Sequence, residues 1–211
     1  MIYVATKNAG KLRELSAIFQ DAGWQLTTLT DYRDVSEGDE SYSANAALKA
    51  RALREQLVKL GIAAAVLGDD SGLEVAALGG KPGVRSARYG GESASWPQRR
   101  SLLLAEVARD AAGDSSARFV CALHYIAPDG RETHVVSDYP GIVVKQERGE
   151  RGFSYDSLFE SPAHGLTFAE LEEAEKNRIS HRARAAASLL RALKAEPEIS
   201  DLSGNDNACG T

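Results

Sequence analysis

The sequence predicts an α/β domain built on a mixed β-sheet, and three observations carry that prediction. An apolar strand, Ile2 to Ala5, runs directly into a helix with one apolar face, the alternation that produces parallel strands. Further on, Phe119–Ile126 and Thr133–Val136 flank Pro128-Asp129-Gly130, a hairpin signal that produces antiparallel ones. The chain has 211 residues, 43% of them hydrophobic and 26% charged. That suits one domain of roughly 100–200 residues, able to bury about 70% of its unfolded surface without a disulfide or structural metal.

The elements follow in order. Asn8 caps the first helix, Leu12, Leu15, Ile18 and Phe19 form its apolar face, and Gly23 ends it. Gln25 to Leu29 alternates as a second strand, and Asp31 to Ser41 is an acidic loop. Ala44 to Leu60 reads as a helix with Leu48, Leu53, Leu57 and Leu60 near one side and Gly61 as its stop. Ala63 to Leu67 is an apolar strand followed by a turn, Gly68-Asp69-Asp70-Ser71-Gly72, and Leu73 to Leu78 forms another strand. Seven glycines between Gly68 and Gly91 would cost a core element too much backbone entropy, so this stretch predicts loops around something bound. Ser95, Pro97 and Gln98 make a capping box that opens a helix through about Ala111. Gly141 to Val144 is a further strand, and Thr167 with Glu170 caps a short acidic helix. Ser180 opens a last amphipathic helix through Ala195, before Pro197.

Composition excludes several functions. The two cysteines, Cys121 and Cys209, stand in no CxxC and near no histidine pair, against a disulfide scaffold or zinc ribbon. Net charge is −5, and Glu196, Glu198, Asp201 and Asp206 supply most of it from a tail without Lys or Arg. The nearly neutral body is no electrostatic trap for nucleic acid. No run of about 18 apolar residues suggests a membrane span, and the N-terminus lacks a secretory pattern. The expected compartment is the cytoplasm. The expected organisation is a single domain over 1–196 and a disordered acidic tail over 197–211.

Three constellations carry chemistry. Thr6-Lys7-Asn8-Ala9-Gly10-Lys11 joins the first strand to the first helix, where free N–H groups and a partial positive charge suit phosphate. There Gly10 lets an anion approach the backbone, and Lys11 adds a point charge. Asp69 and Asp70 follow an apolar strand, and adjacent residues on a turn cannot both point inward. One can hold a hard cation while the other orients or deprotonates a water. Mg²⁺ takes one or two carboxylates plus phosphates and waters, and Glu37 is a candidate second ligand. Lys176, His181 and Arg182 cluster around the start of the last helix, an unfavourable place for two cations unless an acceptor-rich ligand meets them. Phe153-Ser154-Tyr155-Asp156 precedes them, with two aromatics able to sandwich a base.

In this order the pieces resemble the inosine triphosphate pyrophosphatase family, also called dITP/XTP pyrophosphatases, from about Ile2 to Lys194. TKNAGK is similar to its T/S-x-N-x-x-K motif and NAALK, Asn45 to Lys49, to its NAxxKA segment. GDDSGLEV with LGGKPGVRSARYGG resembles its signature stretch, FSYDSLF its FGYDPxF, and SHRARA its SHRxxA. The resemblance implies an elongated mixed sheet with flanking helices, two lobes and a nucleotide cleft between them. It implies a homodimeric, Mg²⁺-dependent hydrolase that converts ITP, dITP and XTP to the monophosphate and pyrophosphate and so cleanses the nucleotide pool. Carried over, Thr6, Asn8 and Lys11 grip the triphosphate, with Lys7, Ala9 and Gly10 in the same loop. Glu37 and Asp70 take the metal, Asp69 being a further possibility, and Asp70 is also the base for water. Ser71 and Lys49 contact substrate. Phe153, Ser154, Tyr155 and Asp156 hold the base and sugar side, and Lys176, His181 and Arg182 read the purine.

The chain departs from the pattern at Ser154, at Ser157 and in the acidic loop, where Glu37 and Glu40 compete as the metal ligand. A serine at 154 does not freely adopt the positive φ that glycine permits. Two other functions compete with the hydrolase: a nucleotide sensor without catalysis, and a pyrophosphatase for pyrimidine nucleotides.

Overall fold

The computed structural model describes residues 1–109 and 113–195. Seven strands form one mixed sheet in the order β2-β1-β3-β4-β5-β6-β7. These are β1 (Ile2–Ala5), β2 (Leu26–Thr27), β3 (Ala65–Val75), β4 (Ser116–Ile126), β5 (Glu132–Val143), β6 (Phe159–Ser161) and β7 (Leu166–Thr167). The first three are parallel and the rest antiparallel, as the two kinds of connection predict. The helices are α1 (Ala9–Gln20), α2 (Tyr42–Lys59), α3 (Trp96–Val107), α4 (Glu173–Ile179) and α5 (His181–Ala195). None is long and apolar enough to cross a membrane among the described residues. The tail over 197–211, with Cys209, lies outside the described residues.

Local signals act as expected at several ends. The Asn8 side chain accepts from the Lys11 amide, capping α1, and the Ser95–Gln98 capping box opens α3. The hairpin at Pro128-Asp129-Gly130 joins β4 to β5. Helices α1 and α5 pack on one face of the sheet through Leu15, Phe19, Ala185 and Leu189 against Val4, Leu67 and Leu123. Helix α2 covers the other face with Ala50, Leu53 and Leu57 against Val66 and Ile126. Leu48 and Leu60, expected on that apolar side, are 43% and 60% exposed. The buried stripe runs instead through Tyr42, Asn45, Ala46, Lys49, Ala50, Leu53 and Leu57.

The largest correction concerns Gly68 to Gly72. This is no turn beyond a strand: Ala65 to Val75 is one continuous strand inside the sheet, between β1 and β4. Its glycines serve close packing. A Cβ on Gly68 would lie 2.1 Å from the Ala46 carbonyl oxygen of α2, and one on Gly72 would lie 2.3 Å from the Gly83 oxygen. Their entropy cost is offset because no other residue lets these backbones approach. In the same way, Thr133 and Gly141 belong to one strand, β5. Gln25 to Leu29 contributes only two residues to the sheet. Helix α3 ends at Val107, while Ala111 is outside the described residues. Thr167 and Glu170 do exchange backbone-to-side-chain hydrogen bonds, of 2.8 and 3.2 Å. They close a turn, and α4 starts later, at Glu173.

Gly68→Ala is expected to destabilise the protein by about 1–3 kcal/mol, because the obstruction is backbone and cannot rotate away. Urea unfolding of the two forms measures it; an unchanged midpoint would contradict this close packing of α2 on β3.

Candidate active site

The β3 strand sets the site through its period of two. Successive side chains leave opposite faces of a sheet, so Asp69 and Asp70 are separated more completely than a turn would achieve. Asp70 faces α2, where Lys49 Nζ lies 3.2 Å from Oδ1 and Asn45 Nδ2 donates to Oδ2 at 3.1 Å. Lys49 also pairs with Glu37. Burial pushes the Asp70 carboxyl above its ordinary range despite Lys49. Burial opposes the charge on Lys49, but Asp70 and Glu37 outweigh it and raise its pKa.

Two carboxylates thus share one ammonium, leaving an excess negative charge beside the cleft. That donor set fits a hard divalent cation, for which one or two carboxylates suffice when phosphate and water complete the shell. No third acid or histidine joins them as a ligand group among the described residues. Glu37 lines the cleft with Asp70 and Ser71, whereas Glu40 is exposed.

Asp69 faces α1 and α5 and is only 1% exposed. It pairs with Lys11, accepts from Ser71 Oγ at 3.0 Å and from Cys121 Sγ at 3.3 Å, and lies 3.5 Å from Arg182 Nε. Burial alone would raise its pKa; Lys11 and Arg182 overturn that and hold it well below the carboxylate range. Asp69 therefore sits across the sheet from Asp70, bound to cations, and shares no metal position with it.

From Asp69 the charges continue inward. Arg182 Nη1 donates to Glu14 Oε2 at 2.9 Å, and Lys176 Nζ bridges Glu14 and Asp156, both at 2.5 Å. Lys176 and Arg182 are 3% and 4% exposed. They are neither surface residues nor cations waiting for a ligand: protein carboxylates already neutralise them. Burial raises the Glu14 pKa, but two cations outweigh it and the carboxyl ends below its ordinary value. Asp156 shares only Lys176 and feels Glu14, so burial wins and its pKa rises.

Aromatic groups line the rest of the cleft. The Phe153 ring lies 5.1 Å from Lys176 Nζ and 5.2 Å from the Arg182 guanidinium carbon, a cation–π arrangement on two cations. A Cβ on Gly10 would sit 2.7 Å from that ring, so Gly10 makes room for Phe153 rather than for an anion. Tyr155 is fully buried and donates to the Ser86 carbonyl at 3.1 Å; Trp96 meets it edge-on at 5.3 Å. His181 stacks on Phe119 at 4.7 Å. Burial, then Arg182, drives its pKa well down, so it is neutral at pH 7. Its Nδ1 is buried without a hydrogen-bond partner among the described residues. Ser154 adopts φ 61° after all. Arg100 Nη1 holds its carbonyl at 3.1 Å, and Asp156 accepts from the Phe153 amide at 2.7 Å.

Of the α1-entry loop, Asn8 and Lys11 reach this cleft. Lys7 and Ala9 are exposed and open with Thr6 onto a separate groove bounded by Thr28 to Tyr32. Sequence reasoning missed Glu14, Trp96 and Arg100. For Glu14 a signal existed: it stands three residues after Lys11 and four before Ile18, within the apolar stripe of α1.

The chain as a whole is similar to known proteins. Residues 2–192 match the model of the Ham1 family. A dITP/XTP pyrophosphatase of Geobacillus kaustophilus is 44% identical over 192 residues, covering 89% of this chain and 91% of the relative. One from Thermus thermophilus is 42% identical and covers 96% of both chains. A solved HAM1 protein from Coxiella burnetii superposes with TM-score 0.78 at 32% identity, over 92% of this chain and 98% of that one.

Glu14→Gln is expected to cost about 3–5 kcal/mol at pH 7, because two buried cations lose their shared counter-ion. The folded pKa of Glu14 is depressed, so its contribution is complete above the unfolded value near 4.5 and is lost as pH falls through the folded one. The gap between wild type and variant should therefore narrow below about pH 4.5. Chemical denaturation from pH 7 to 3 measures it, and a pH-independent gap would refute the assignment.

Proposed function

The chain belongs to the Ham1 family, and from that premise we propose that it hydrolyses the deaminated purine triphosphates ITP, dITP and XTP to the monophosphate and pyrophosphate. It is a hydrolase of the nucleoside-triphosphate pyrophosphatase class. The observation that carries the specific reading is the cleft itself. Around its polar end, Asp70 and Glu37 share Lys49, with Lys11 lining the same cleft; Phe153, seated on Gly10 of the α1 N-terminus, Tyr155 and the Nδ1 of neutral His181, without a hydrogen-bond partner among the described residues, complete the lining.

In this reading the triphosphate lies along the polar end. Lys11, the amides at the start of α1 and Asn8 bind its oxygens, while Thr6, which the sequence pattern also put there, supports the loop by accepting from the Asn8 amide; Lys49 and Ser71 approach from α2 and β3. Asp70, a carboxylate that lines the cleft beside Ser71, takes the proton of the attacking water. The water oxygen bonds to the α-phosphorus, the α–β anhydride bond breaks, and pyrophosphate departs with its electron pair. Glu37 and Asp70 would hold Mg²⁺, which supplies charge neutralisation across the phosphates.

Base selection rests on donors. Hypoxanthine and xanthine offer O6 as an acceptor, and His181 Nδ1–H in one tautomer, with Arg182 lining the same cleft, can donate to it. The 6-amino group of adenine would leave those donors unpaired. Because Lys176 and the Nη1 of Arg182 are already engaged with carboxylates, their part in this reading is to seat the Phe153 ring as much as to contact a base. We take the enzyme to work as a homodimer on the cytoplasmic nucleotide pool.

The wild type with Mg²⁺ should release pyrophosphate from ITP, XTP and dITP in preference to GTP, ATP and dTTP. A preference for dTTP would favour a pyrimidine enzyme, and inertness towards all six a sensor. Asp70→Asn should stay folded and retain no more than a few per cent of ITP turnover; higher retention removes Asp70 as the base. Ser154→Gly should relieve a left-handed backbone that costs roughly 1–2 kcal/mol in a non-glycine residue. It should leave kcat/KM for ITP within about tenfold, or 1.4 kcal/mol. Restored turnover in an otherwise inert protein would show that Ser154 blocks the pocket.

A further inference from the structure

From the arrangement of the acidic loop we infer that Arg88 is a positioning residue for Glu37, setting the affinity of the site for a divalent cation. The inference rests on the reading of Glu37 as a metal ligand. Glu37 lies in a segment between β2 and α2 without regular secondary structure, the kind of chain that opens easily unless tied down. Arg88 closes the 3-10 turn Gly83–Arg88 and reaches across to that loop. Its Nη1 donates to the Glu37 carbonyl at 3.2 Å, and its Nη2 donates to the Gly38 carbonyl at 3.1 Å and to Asp39 Oδ1 at 3.3 Å. The Glu37 carboxylate is 4.0 Å away.

The far end of this brace is itself fixed. Ser86, two residues before Arg88, accepts from the Leu73 amide of β3 at 2.9 Å and donates to the Gly83 carbonyl at 2.7 Å, while Tyr155 donates to its carbonyl. On the other side of the loop, Asn45 Oδ1 accepts from the Gly38 amide at 2.9 Å, and Asn45 Nδ2 donates to Asp70. Glu37 is thus held in register with Asp70 from two directions. A guanidinium can span consecutive carbonyls because its donors form a rigid fork, which an ammonium lacks. The neighbouring Arg85–Asp39 pair supplies a control. Its side chains are 65% and 48% exposed, where such pairs contribute little.

The test is Mn²⁺ binding in the absence of nucleotide, followed by electron paramagnetic resonance of the free ion. It compares wild type, Glu37→Gln, Arg88→Gln, Arg88→Lys and Arg85→Ala, with hydrogen exchange of the amides over residues 36–40. Residues that orient metal ligands typically govern about 10–100-fold in affinity. Arg88→Gln and Arg88→Lys should each weaken Mn²⁺ binding at least about tenfold and speed exchange in the loop, with Arg85→Ala within about twofold of wild type. Arg88→Lys keeps charge and length, so it remains informative should Arg88→Gln fold poorly. If Glu37→Gln loses Mn²⁺ while Arg88→Lys binds like wild type, the inference is wrong and the metal reading stands. If Glu37→Gln binds like wild type, the metal reading itself falls and the inference with it.

Discussion

Six buried or nearly buried side chains of alternating sign, Lys11, Asp69, Arg182, Glu14, Lys176 and Asp156, form one continuous row of ion pairs, and Lys11, Arg182 and Asp156 among them line the cleft. Three positive and three negative charges cancel inside the protein. Each was removed from water at a cost that only its neighbours offset, so the row is stable as a whole and expensive to interrupt. It is also what ties the elements together. Lys11 and Glu14 come from α1, Asp69 from β3, Lys176 from α4 and Arg182 from α5. The aromatic wall depends on the same row. Phe153 rests on Lys176 and Arg182, and the Asp156 carboxylate that accepts from Lys176 also accepts from the Phe153 amide.

The pleat of β3 explains why two identical adjacent residues have unlike surroundings. Pleating turns Asp69 into the row of charges under α1 and α5, where cations hold it ionised. The same pleating turns Asp70 toward α2, where burial wins and its proton is held more tightly. The absent side chain of Gly68 lets α2 approach closely enough for Asn45 and Lys49 to reach Asp70. Packing and chemistry are therefore one constraint on this strand, and the local entropy cost of glycine is part of it.

Much of this was legible in the chain. Period and capping located α1, α3 and α5, and the paired strand–helix and hairpin signals gave the mixed sheet. Ordered motifs brought Asn8, Lys11, Asp70, Phe153 and Arg182 to one cleft. What could not be read was partnership. Glycines look alike whether they serve a loop or a tight helix–strand contact, so Gly68 and Gly72 read as breakers. Cations at a helix start look unpaired when their counter-ion, Glu14, lies more than 160 residues away. Gly10 likewise read as space for an anion because nothing local indicates that Phe153 fills it.

His181 carries a consequence of its own. Burial against Phe119, with the charges of Arg182 and Lys176 opposing another, moves uptake of a second proton by its imidazole well below the range of free histidine. Most histidines in a cleft make recognition a function of acidity. Here the neutral ring keeps one donor and one acceptor across the pH range in which a free histidine would titrate. Only the choice of tautomer remains open, and a bound partner can set that choice without any exchange of charge with solvent.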